Sequence, residues 1–383
     1  MGLNKTYITL TAAYLPFEPI DNDHMEEILG CPGGKPSRAR RMTLRSNGIL
    51  SRHYVLDPAT GLARMTNAQV AAAALRQLVE EGFDLDSLEC LAAGTSTPDQ
   101  TMPSHGAMVH GELGGPSCEV VTISANCLAG VSALKYGWQA LATGTAANAA
   151  IAGSEVCSTY MHARNFAAES SHRVQELALD PGIAFEKDFL RWMLSDGAGA
   201  VLLETAPRPG RMAFEVEWID TYSYANLIPA CMYAGSERDG DGNLVGWMHL
   251  EAEARAQRSL FAMKQDVKLL NDNIVNYCVT ETVRRTVARR GLKAEDVDWF
   301  LPHLSSNFFR QPVLEGLKAG GVPIPEERWF TNLSTRGNTG AASIFIMLDD
   351  LARSGRLKPG DRILCGVPES ARFSSGIFML RAV

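Results

Sequence analysis

The sequence lacks long apolar runs, paired cysteines and an excess of basic residues, and each absence excludes a class of protein. No uninterrupted apolar run approaches about 18 residues, and no basic and apolar segment of the signal-peptide kind opens the chain. A net charge of -7 provides no basic surface for nucleic acid or for an anionic membrane. These absences predict a soluble, cytoplasmic protein with no nucleic-acid or membrane partner.

The eight cysteines stand singly, without a CxxC pair or a close cysteine-histidine spacing. That pattern argues against zinc, an iron-sulfur cluster and a disulfide framework, so no metal is expected. Most of the cysteines are interpreted as small buried hydrophobic residues. The exception is Cys127, because its surroundings are those of a reactive thiol.

Short apolar segments alternate with helical ones along the 383 residues, of which 46% are hydrophobic, enough for two core-sized units. In the first half, the patterns predict strands at 7–11, 90–93, 118–123, 149–153 and 199–204, and helices at 68–81, 104–113, 128–143 and 175–179. Such alternation predicts an α/β fold in which crossover helices join parallel strands.

The second half repeats this scheme. Its helical patterns lie at 251–290, 311–319 and 341–354, and its strand patterns at 297–301, 362–366 and 376–381. The repetition indicates a duplication, with one unit at 1–205 and the other at 206–383. Each unit has a sharp turn into a helix rich in small residues, at 126–130 and 337–343, and related units would bring both turns to one cleft. The polar segment 220–247 is interpreted as an insertion beside that cleft.

Cys127 closely follows an apolar strand and precedes a helix whose apolar positions recur at helical spacing. The unpaired peptide N–H groups and the positive end of the dipole at a helix N-terminus favour a thiolate. A thiolate is the nucleophile that thioester exchange requires. The alternative is an inert buried cysteine, and the small residues Ala129 and Gly130 argue against it because they allow other groups to approach closely.

Two further residues, His303 and Asn338, gain significance beside Cys127. His303 follows the apolar run 297–302, at the C-terminal tip of a buried strand, where open α/β sheets place ligand chemistry. Asn338 lies in a Gly-Asn-Thr-Gly turn. Taken alone, one could be a surface histidine and the other ordinary turn chemistry. In combination with Cys127 they form a candidate catalytic set.

The ordered motifs resemble the β-ketoacyl-[acyl-carrier-protein] synthase III family of condensing enzymes. The matching segments are Ser124–Gly130, Leu301–His303 and Gly337–Ser343, with further matches at Tyr14–Pro16, Asn47–Ile49, Arg52–His53, Ala152–Glu155 and Asp196–Ala200. They span essentially the whole chain, and the resemblance rests on their order rather than on any single match.

The resemblance implies a thiolase fold, in which two duplicated βαβαβαββ halves form a five-layered α-β-α-β-α arrangement. It implies that Cys127 is acylated, and that His303 and Asn338 stabilise the enolate of a malonyl- or β-ketoacyl-thioester. Two N–H donors that converge on one oxygen suit this task. The N–H of Cys127 would serve a separate oxyanion hole. Acyl thioesters of coenzyme A or of acyl carrier protein are the implied substrates, with a homodimer and no cofactor.

Some positions depart from the family pattern in ways that bear on the substrates. Met102 stands where phenylalanine is common, in the segment 97–103 that matches the loop closing the acyl pocket of the partner subunit. Methionine is thinner and more adaptable, which favours a longer or more varied acyl chain; core filling is the alternative. Met42 and Ser46 replace a tryptophan and an arginine that hold the coenzyme A adenine, which favours a carrier-protein-bound donor.

Other departures lie close to the predicted catalytic residues. The family reads Gln-Ala-Asn after the position of His303, and either Ser306 or Asn307 takes the supporting place here. Glu369 replaces part of a glycine-rich loop, and it is either a base toward an acidic β-keto thioester or half of a surface pair with Arg372. These changes make the chain similar to the branch that builds dialkylresorcinol or cyclohexanedione precursors, through a ketosynthase and cyclase reaction.

Three competing activities share part of this residue set. A non-condensing acyltransferase would pass the acyl group to an amine or alcohol, a reaction that has no enolate for Asn338 to stabilise. A silent partner subunit would lack the nucleophile. A degradative thiolase would use a second cysteine, for which Cys365 is a candidate in a loop without that family's pattern. Condensation in fatty acid or polyketide-type biosynthesis is therefore the predicted function.

Overall fold

A large mixed sheet and the helices on its two faces form the body of the protein. The computed structural model describes residues 3–34, 36–37, 40–167 and 189–383. The predicted helix at 175–179 lies outside these residues. Within the described residues, no helix is long and apolar enough to cross a membrane.

The strands are numbered here in chain order. They are β1 (Tyr7–Tyr14), β2 (Ile20–Asp21), β3 (Ser51–Arg52), β4 (Cys90–Thr95), β5 (Glu119–Ser124), β6 (Asn148–Glu155), β7 (Gly197–Glu204), β8 (Phe214–Ser223), β9 (Met232–Tyr233), β10 (Ser236–Arg238), β11 (Leu244–Gly246), β12 (Lys264–Gln265), β13 (Trp299–Pro302), β14 (Arg362–Glu369) and β15 (Ser374–Ala382). β4 is buried along its whole length and β6 along almost all of it, which explains their unbroken apolar sequences.

The helices of the described residues are numbered in the same way. They are α1 (Met25–Leu29), α2 (Arg40–Asn47), α3 (Asn67–Glu80), α4 (His105–Leu113), α5 (Ala129–Thr143), α6 (Ser158–Met161), α7 (Ala252–Gln257), α8 (Val267–Val275), α9 (Thr282–Arg290), α10 (Arg310–Ala319), α11 (Leu333–Arg336) and α12 (Ser343–Arg353). A π-helical turn, Asn276–Glu281, joins α8 to α9. Several ends follow local rules: a capping box of Thr66 and Gln69 starts α3, and Gly144, at a φ of 76°, ends α5.

The order of strands is repeated in the two parts of the chain. From one edge the sheet runs β5, β4, β6, β7, β1, and from the other edge β13, β14, β15, β8. Each run starts with parallel pairing and continues with two antiparallel pairs. A parallel bridge between Phe300 and Trp329 occupies, beside β13, the place that β5 has beside β4. The two runs meet where β1 pairs with β8 at Tyr7 and Ile8.

Helices α5 and α12 form the central layer of the molecule. α5 packs on β4, β6 and β8, whereas α12 packs on β1, β7 and β13, so both helices contact strands of both runs. α3 and α4 cover the outer face of the first run, and α9 with the π-helical turn covers the outer face of the second. The predicted thiolase fold, with its α-β-α-β-α layers, is thereby confirmed.

Three predictions about the elements need correction. The sheet is mixed rather than parallel, because β1, β7, β8 and β15 all pair antiparallel. The helical pattern at 251–290 is interrupted, since the chain leaves α7 at Gln257, forms β12, and starts α8 only after Asp266, whose carboxylate accepts the N–H of Leu269. β8 extends through Ser223, so the first residues of the segment interpreted as an insertion belong to the main sheet.

Candidate active site

Cys127 lies in the short turn between β5 and α5, two residues before the first residue of that helix. The turn is held at the C-terminal ends of parallel strands, because β5 pairs in parallel with β4. Gly94 at the end of β4 makes room for it, since a Cβ at this position would stand 2.4 Å from the carbonyl oxygen of Ala129. The nucleophile candidate is therefore fixed by backbone packing of a strand against the start of a helix.

The electrostatics of Cys127 differ from the prediction of a helix-stabilised thiolate. Burial raises the pKa of the thiol, and the carboxylates of Glu369 and Glu155 raise it further, whereas the thiol's own peptide N–H opposes the rise. These effects favour the thiol over the thiolate form of Cys127, in the direction opposite to the helix N-terminus.

His303 follows the last residue of β13, and its N–H donates to the carbonyl oxygen of Gly366 in the neighbouring strand β14 (2.8 Å). The side chain is only 3% exposed. Burial lowers the pKa of the imidazole to about 4, so the ring is neutral at neutral pH. Its Nε2 makes no hydrogen bond within the described part of the chain. Burying a ring nitrogen without a hydrogen bond destabilises the folded protein, and such atoms are typical of ligand-binding sites.

Asn338 is held by main-chain hydrogen bonds on both sides of its residue. Its N–H donates to Met193 O (3.2 Å), and its carbonyl oxygen accepts the N–H of Ser195 (2.9 Å). Its side-chain Oδ1 accepts the N–H of Gly340 (3.0 Å), which sets the orientation of the amide. Gly337 precedes it at a φ of 70°, and a Cβ there would stand 2.8 Å from that of Ser195.

The three predicted catalytic residues line one cavity of about 60 Å³. They come from three distant segments of the chain, and the repeated strand order brings those segments together. The rest of the lining is mostly apolar, and it consists of Leu190, Met193, Leu194, Met232, Leu270, Ile274, Val275, Val279, Leu304, Phe309, Val313 and Pro368, with Gln265, Ser305 and Ser370 as the polar members. Met232 lies in the segment interpreted as an insertion, so that segment forms part of the cavity wall.

The other predicted site residues lie outside this lining. Met102 is 80% exposed on the surface of the chain. Ser306 is buried, and its hydroxyl accepts the N–H of Phe308 (3.2 Å), so it serves as a cap for the following turn. Asn307 is exposed and lies against Gly48, where a Cβ would stand 2.1 Å from the Asn307 amide nitrogen. Neither residue supports the imidazole of His303 by a hydrogen bond in the described part of the chain.

Glu369 does not form the surface pair with Arg372 that the sequence left open. Its side chain is only 6% exposed. One oxygen, Oε2, accepts the N–H groups of Asn126 (3.0 Å) and Leu128 (3.1 Å). Arg372 instead donates to the carbonyl oxygen of Ala225.

Glu155 belongs to the same region, although the sequence analysis gave it no role. It accepts hydrogen bonds from Ser96 and from the hydroxyl of Thr97 (2.7 Å), and it lies 3.4 Å from the N–H of Ala341. Burial raises its pKa to about 7. The available signal was an acidic residue at the end of the apolar run of β6, because such a residue is rarely buried without partners. Among the described residues no group of histidine, cysteine and acidic side chains could hold a metal ion.

Comparison with known proteins identifies the class of enzyme that carries this geometry. Residues 287–367 match the family described as 3-oxoacyl-[acyl-carrier-protein] synthase III, C terminal, and this span contains both His303 and Asn338. The β-ketoacyl-[acyl-carrier-protein] synthase III of Hyphomonas neptunium is 25% identical over 363 residues, which cover 94% of each chain. The chain is a synthase III-like condensing enzyme. The predicted resemblance and the acyltransferase class are thereby confirmed.

Solved structures confirm the fold of this synthase III-like chain. The tetronic acid condensing enzyme AbyA1 superimposes with a TM-score of 0.75 at 21% identity, covering 98% of this chain and 99% of that one. The 3-oxoacyl-(acyl carrier protein) synthase III of Pseudomonas aeruginosa gives a TM-score of 0.71 at 20% identity, covering 98% of both chains. At about 20% identity, these structures are evidence for the fold alone.

Proposed function

We propose that Cys127 carries the acyl group and that His303 and Asn338 stabilise the enolate of a second thioester, which attacks the acyl carbon to form a carbon-carbon bond. The observation that supports this assignment is the convergence of the three side chains on one apolar cavity. An apolar wall suits an acyl chain, and a few polar groups at one point suit a thioester carbonyl.

In the first step the thiol of Cys127 loses its proton, and the sulfur attacks the carbonyl carbon of the acyl thioester. The bond to the donor sulfur breaks, and the leaving thiolate takes up one proton, so that a thioester and a thiol exchange partners. The N–H of Cys127 is the proposed donor to the oxyanion of this step. The neutral imidazole of His303 is not required for it.

In the second step, loss of carbon dioxide from a malonyl thioester, or transfer of an α-proton from a β-ketoacyl thioester to water, produces an enolate. The enolate carbon attacks the acyl carbon, the bond to the Cys127 sulfur breaks, and the departing thiolate takes up one proton from water to restore the thiol. A neutral imidazole still has one N–H, and together with the Asn338 amide it supplies two donors to the enolate oxygen. His303 meets this requirement because burial lowers its pKa to about 4.

The substrates are acyl thioesters, and acyl carrier protein is the proposed donor or acceptor because Met42 and Ser46 replace the residues expected to hold a coenzyme A adenine. The proposed assembly is a homodimer in which the segment 97–103 of one chain reaches the acyl pocket of its partner. Exposure of Met102 on the isolated chain is consistent with that placement. The proposed reaction uses no cofactor.

Intact-protein mass spectrometry tests this proposal with a panel of acyl thioesters of increasing chain length. The expected result is one acyl increment per chain, followed by loss of the increment and formation of a β-ketoacyl product when a malonyl or β-ketoacyl thioester is added. Transfer of the acyl group to an amine or alcohol, with no new carbon-carbon bond, would instead identify a non-condensing acyltransferase. Absence of any increment across the panel would contradict the proposal.

A further inference from the structure

Glu369 ties down the two peptide groups on either side of the nucleophile. Its Oε2 accepts the N–H of Asn126 at 3.0 Å and the N–H of Leu128 at 3.1 Å, so one carboxylate oxygen bridges the residues that flank Cys127. The partners are more than 240 residues apart along the chain. Charge-assisted bonds of this kind are about twice as strong as neutral ones, and they fix the turn that presents the thiol.

The hydrogen bonds of this turn use every peptide N–H group from Asn126 to Ala129 except that of Cys127. The N–H of Ala129 donates to the carbonyl oxygen of Asn126 (2.9 Å), and Glu369 accepts from Asn126 and Leu128. Within residues 126–129, only the N–H of Cys127 has neither a carbonyl nor a carboxylate partner in the described structure. This N–H favours the thiolate form of its own side chain. Glu369 thus occupies the neighbouring donors and leaves the one at the nucleophile available.

The position of Glu369 argues against a direct role toward the second substrate. Its neighbours Pro368 and Ser370 line the cavity, whereas Glu369 itself does not. The carboxylate is directed to the back of the Cys127 turn, and its side chain is 6% exposed. A base that removes a proton from a substrate must come within hydrogen-bond reach of it, directly or through one water. The geometry therefore favours action on the nucleophile.

The carboxylate of Glu369 also places a negative charge near the thiol of Cys127. Burial raises the pKa of Glu369, and the two N–H donors oppose this rise, because they stabilise the ionised form. Among the described residues, the hydrogen bonds of Glu369 and of the second buried carboxyl group, Glu155, come from N–H and hydroxyl groups, and none comes from a cation. An uncompensated negative charge close to Cys127 disfavours a second one on its sulfur.

We propose that Glu369 is a positioning residue that fixes the Cys127 turn through the peptide N–H groups of Asn126 and Leu128 and places a negative charge beside the thiol. The inference rests on the proposed function only in taking Cys127 as the acyl carrier. It assigns two separable effects to one side chain: a hydrogen-bonding effect on geometry and a charge effect on the thiol. Two substitutions separate them.

Glu369→Gln keeps an oxygen that accepts both N–H groups and removes the charge, whereas Glu369→Ala removes both. Alkylation of Cys127 by iodoacetamide, followed at this peptide by mass spectrometry over a range of pH, reports the thiol without any substrate. For Glu369→Gln we expect the midpoint to fall by about one pH unit, with alkylation at neutral pH about tenfold faster and acyl transfer retained. For Glu369→Ala we expect acyl transfer to slow by about 100-fold, because a misplaced nucleophile loses its near-attack geometry.

Asp349→Asn is the matched control. Asp349 of α12 is also a buried carboxylate, 5% exposed, but it accepts hydrogen bonds from Thr11 of β1 and Arg353 of α12. Its loss should change neither the alkylation midpoint nor the rate of acyl transfer. Thermal melting of each variant tests whether it is folded. If Glu369→Ala fails to fold, the pH midpoint of Cys127 alkylation in Glu369→Gln tests the inference on its own.

Two results would overturn the inference. The first is an unchanged alkylation midpoint in Glu369→Gln. The second is failure of acyl transfer in Glu369→Gln despite a lowered midpoint, which would make Glu369 a proton acceptor rather than a positioning residue. Failure of the proposed function looks different, because the wild-type protein would then take up no acyl group while its alkylation profile could still be measured.

Discussion

Gly130 lies directly against the carbonyl oxygen of Ala341, so close that a Cβ at Gly130 would stand 2.3 Å from that oxygen. Gly153 of β6 approaches the same oxygen, with an equal distance of 2.3 Å for its own Cβ. Gly130 is three residues after Cys127, and Ala341 is three residues after Asn338. This contact between the start of α5 and the turn that leads into α12 therefore sets the separation of the nucleophile and the amide donor.

Substitution of Gly130 by alanine is predicted to force the start of α5 and the turn that leads into α12 apart. The clash is with backbone rather than with a flexible side chain, so we expect a loss of about 1–3 kcal/mol in the free energy of unfolding. We also expect condensation to fall more than acyl transfer, because only condensation uses Asn338. Denaturant unfolding and the rates of the two partial reactions measure these effects.

Gly111→Ala is the control, since nothing lies within 4 Å of a Cβ at this position on α4. Its effect on the free energy of unfolding should be neutral or slightly stabilising. Equal behaviour of the two variants would contradict the prediction.

Substitution of Cys127 by alanine is predicted to abolish acyl-enzyme formation, because the sulfur is the proposed point of attachment. The mass of the intact protein after mixing with an acyl thioester is the measurement. Cys118→Ala is a suitable control, since Cys118 is also a half-buried free thiol and lies outside the cavity. Its acylation should equal that of the wild-type protein. An acyl increment that persists in Cys127→Ala would place the acyl group on another residue.

His303→Ala and Asn338→Ala are predicted to form the acyl enzyme and to fail at condensation. Each removes one donor from the enolate oxygen, and loss of one such donor costs about 100- to 1000-fold in rate. Asn338→Ala loses the hydrogen bond from the Gly340 N–H to Oδ1, but the main-chain bonds of residue 338 with Met193 and Ser195 remain, so the turn should persist. Single-turnover assays that follow acylation and condensation separately provide the test. Parallel loss of both steps would show that these side chains act on the first thioester as well.

The pH dependence of stability should reveal the buried, neutral imidazole of His303. Its pKa falls from 6.5 to about 4 on folding, so between these values the unfolded chain binds a proton that the folded chain does not. Stability is then fully present above pH 6.5 and declines as the pH falls toward 4, by up to about 3 kcal/mol from this group. Urea unfolding at pH 7.5 and pH 5 should show a smaller decline for His303→Gln than for the wild-type protein.

A second buried histidine provides the control for that experiment. The pKa of His105 is also lowered to about 4 by burial, and its Nε2 lies 3.1 Å from the hydroxyl of Ser154. His105→Gln should flatten the pH dependence of stability in a similar way, yet it should leave condensation intact. If the stability of His303→Gln declines between pH 7.5 and 5 as much as that of the wild-type protein, the imidazole of His303 is not neutral in the folded wild-type protein.

The sequence predicts the position of a residue well where that position follows from local context. Cys127 stands between a strand and a helix, and His303 stands at the end of an apolar strand, so hydrophobic periodicity alone locates both. The repeated motifs then predicted a shared cleft, and Cys127, His303 and Asn338 line one cavity. Strand direction was not accessible in this way, because an apolar run buried on both faces reads alike whether its neighbours are parallel or antiparallel.

The properties that could not be predicted from the sequence depend on contacts between distant segments. The pKa of Cys127 is raised by burial and, beyond that, by carboxylates from β14 and β6, and neither carboxylate is close to it along the chain. The local signal, a helix N-terminus, points the other way. Likewise, Ser306 and Asn307 matched a family position by spacing, but the structure shows a cap and an exposed contact with Gly48. A one-residue change in the path of a turn is enough to redirect such side chains.

Substitution of Met102 by phenylalanine is predicted to change the length of acyl chain that the protein accepts. Met102 is 80% exposed on the isolated chain, so Met102→Phe should change the free energy of unfolding by no more than about 0.5 kcal/mol. If segment 97–103 closes the acyl pocket of a partner subunit, the bulkier and stiffer ring should shift acylation toward shorter chains. The mass-spectrometric panel measures that shift, and native mass spectrometry should show a dimer.

Met248→Phe is the matched control for this experiment. Met248 is 73% exposed, and it follows β11 outside the segment 97–103. The same change of side chain there should leave the chain-length profile as in the wild-type protein. A dimer whose profile is unaffected by Met102→Phe would show that Met102 does not border the acyl pocket. A monomer that still condenses long acyl chains would show that the cavity of one chain suffices.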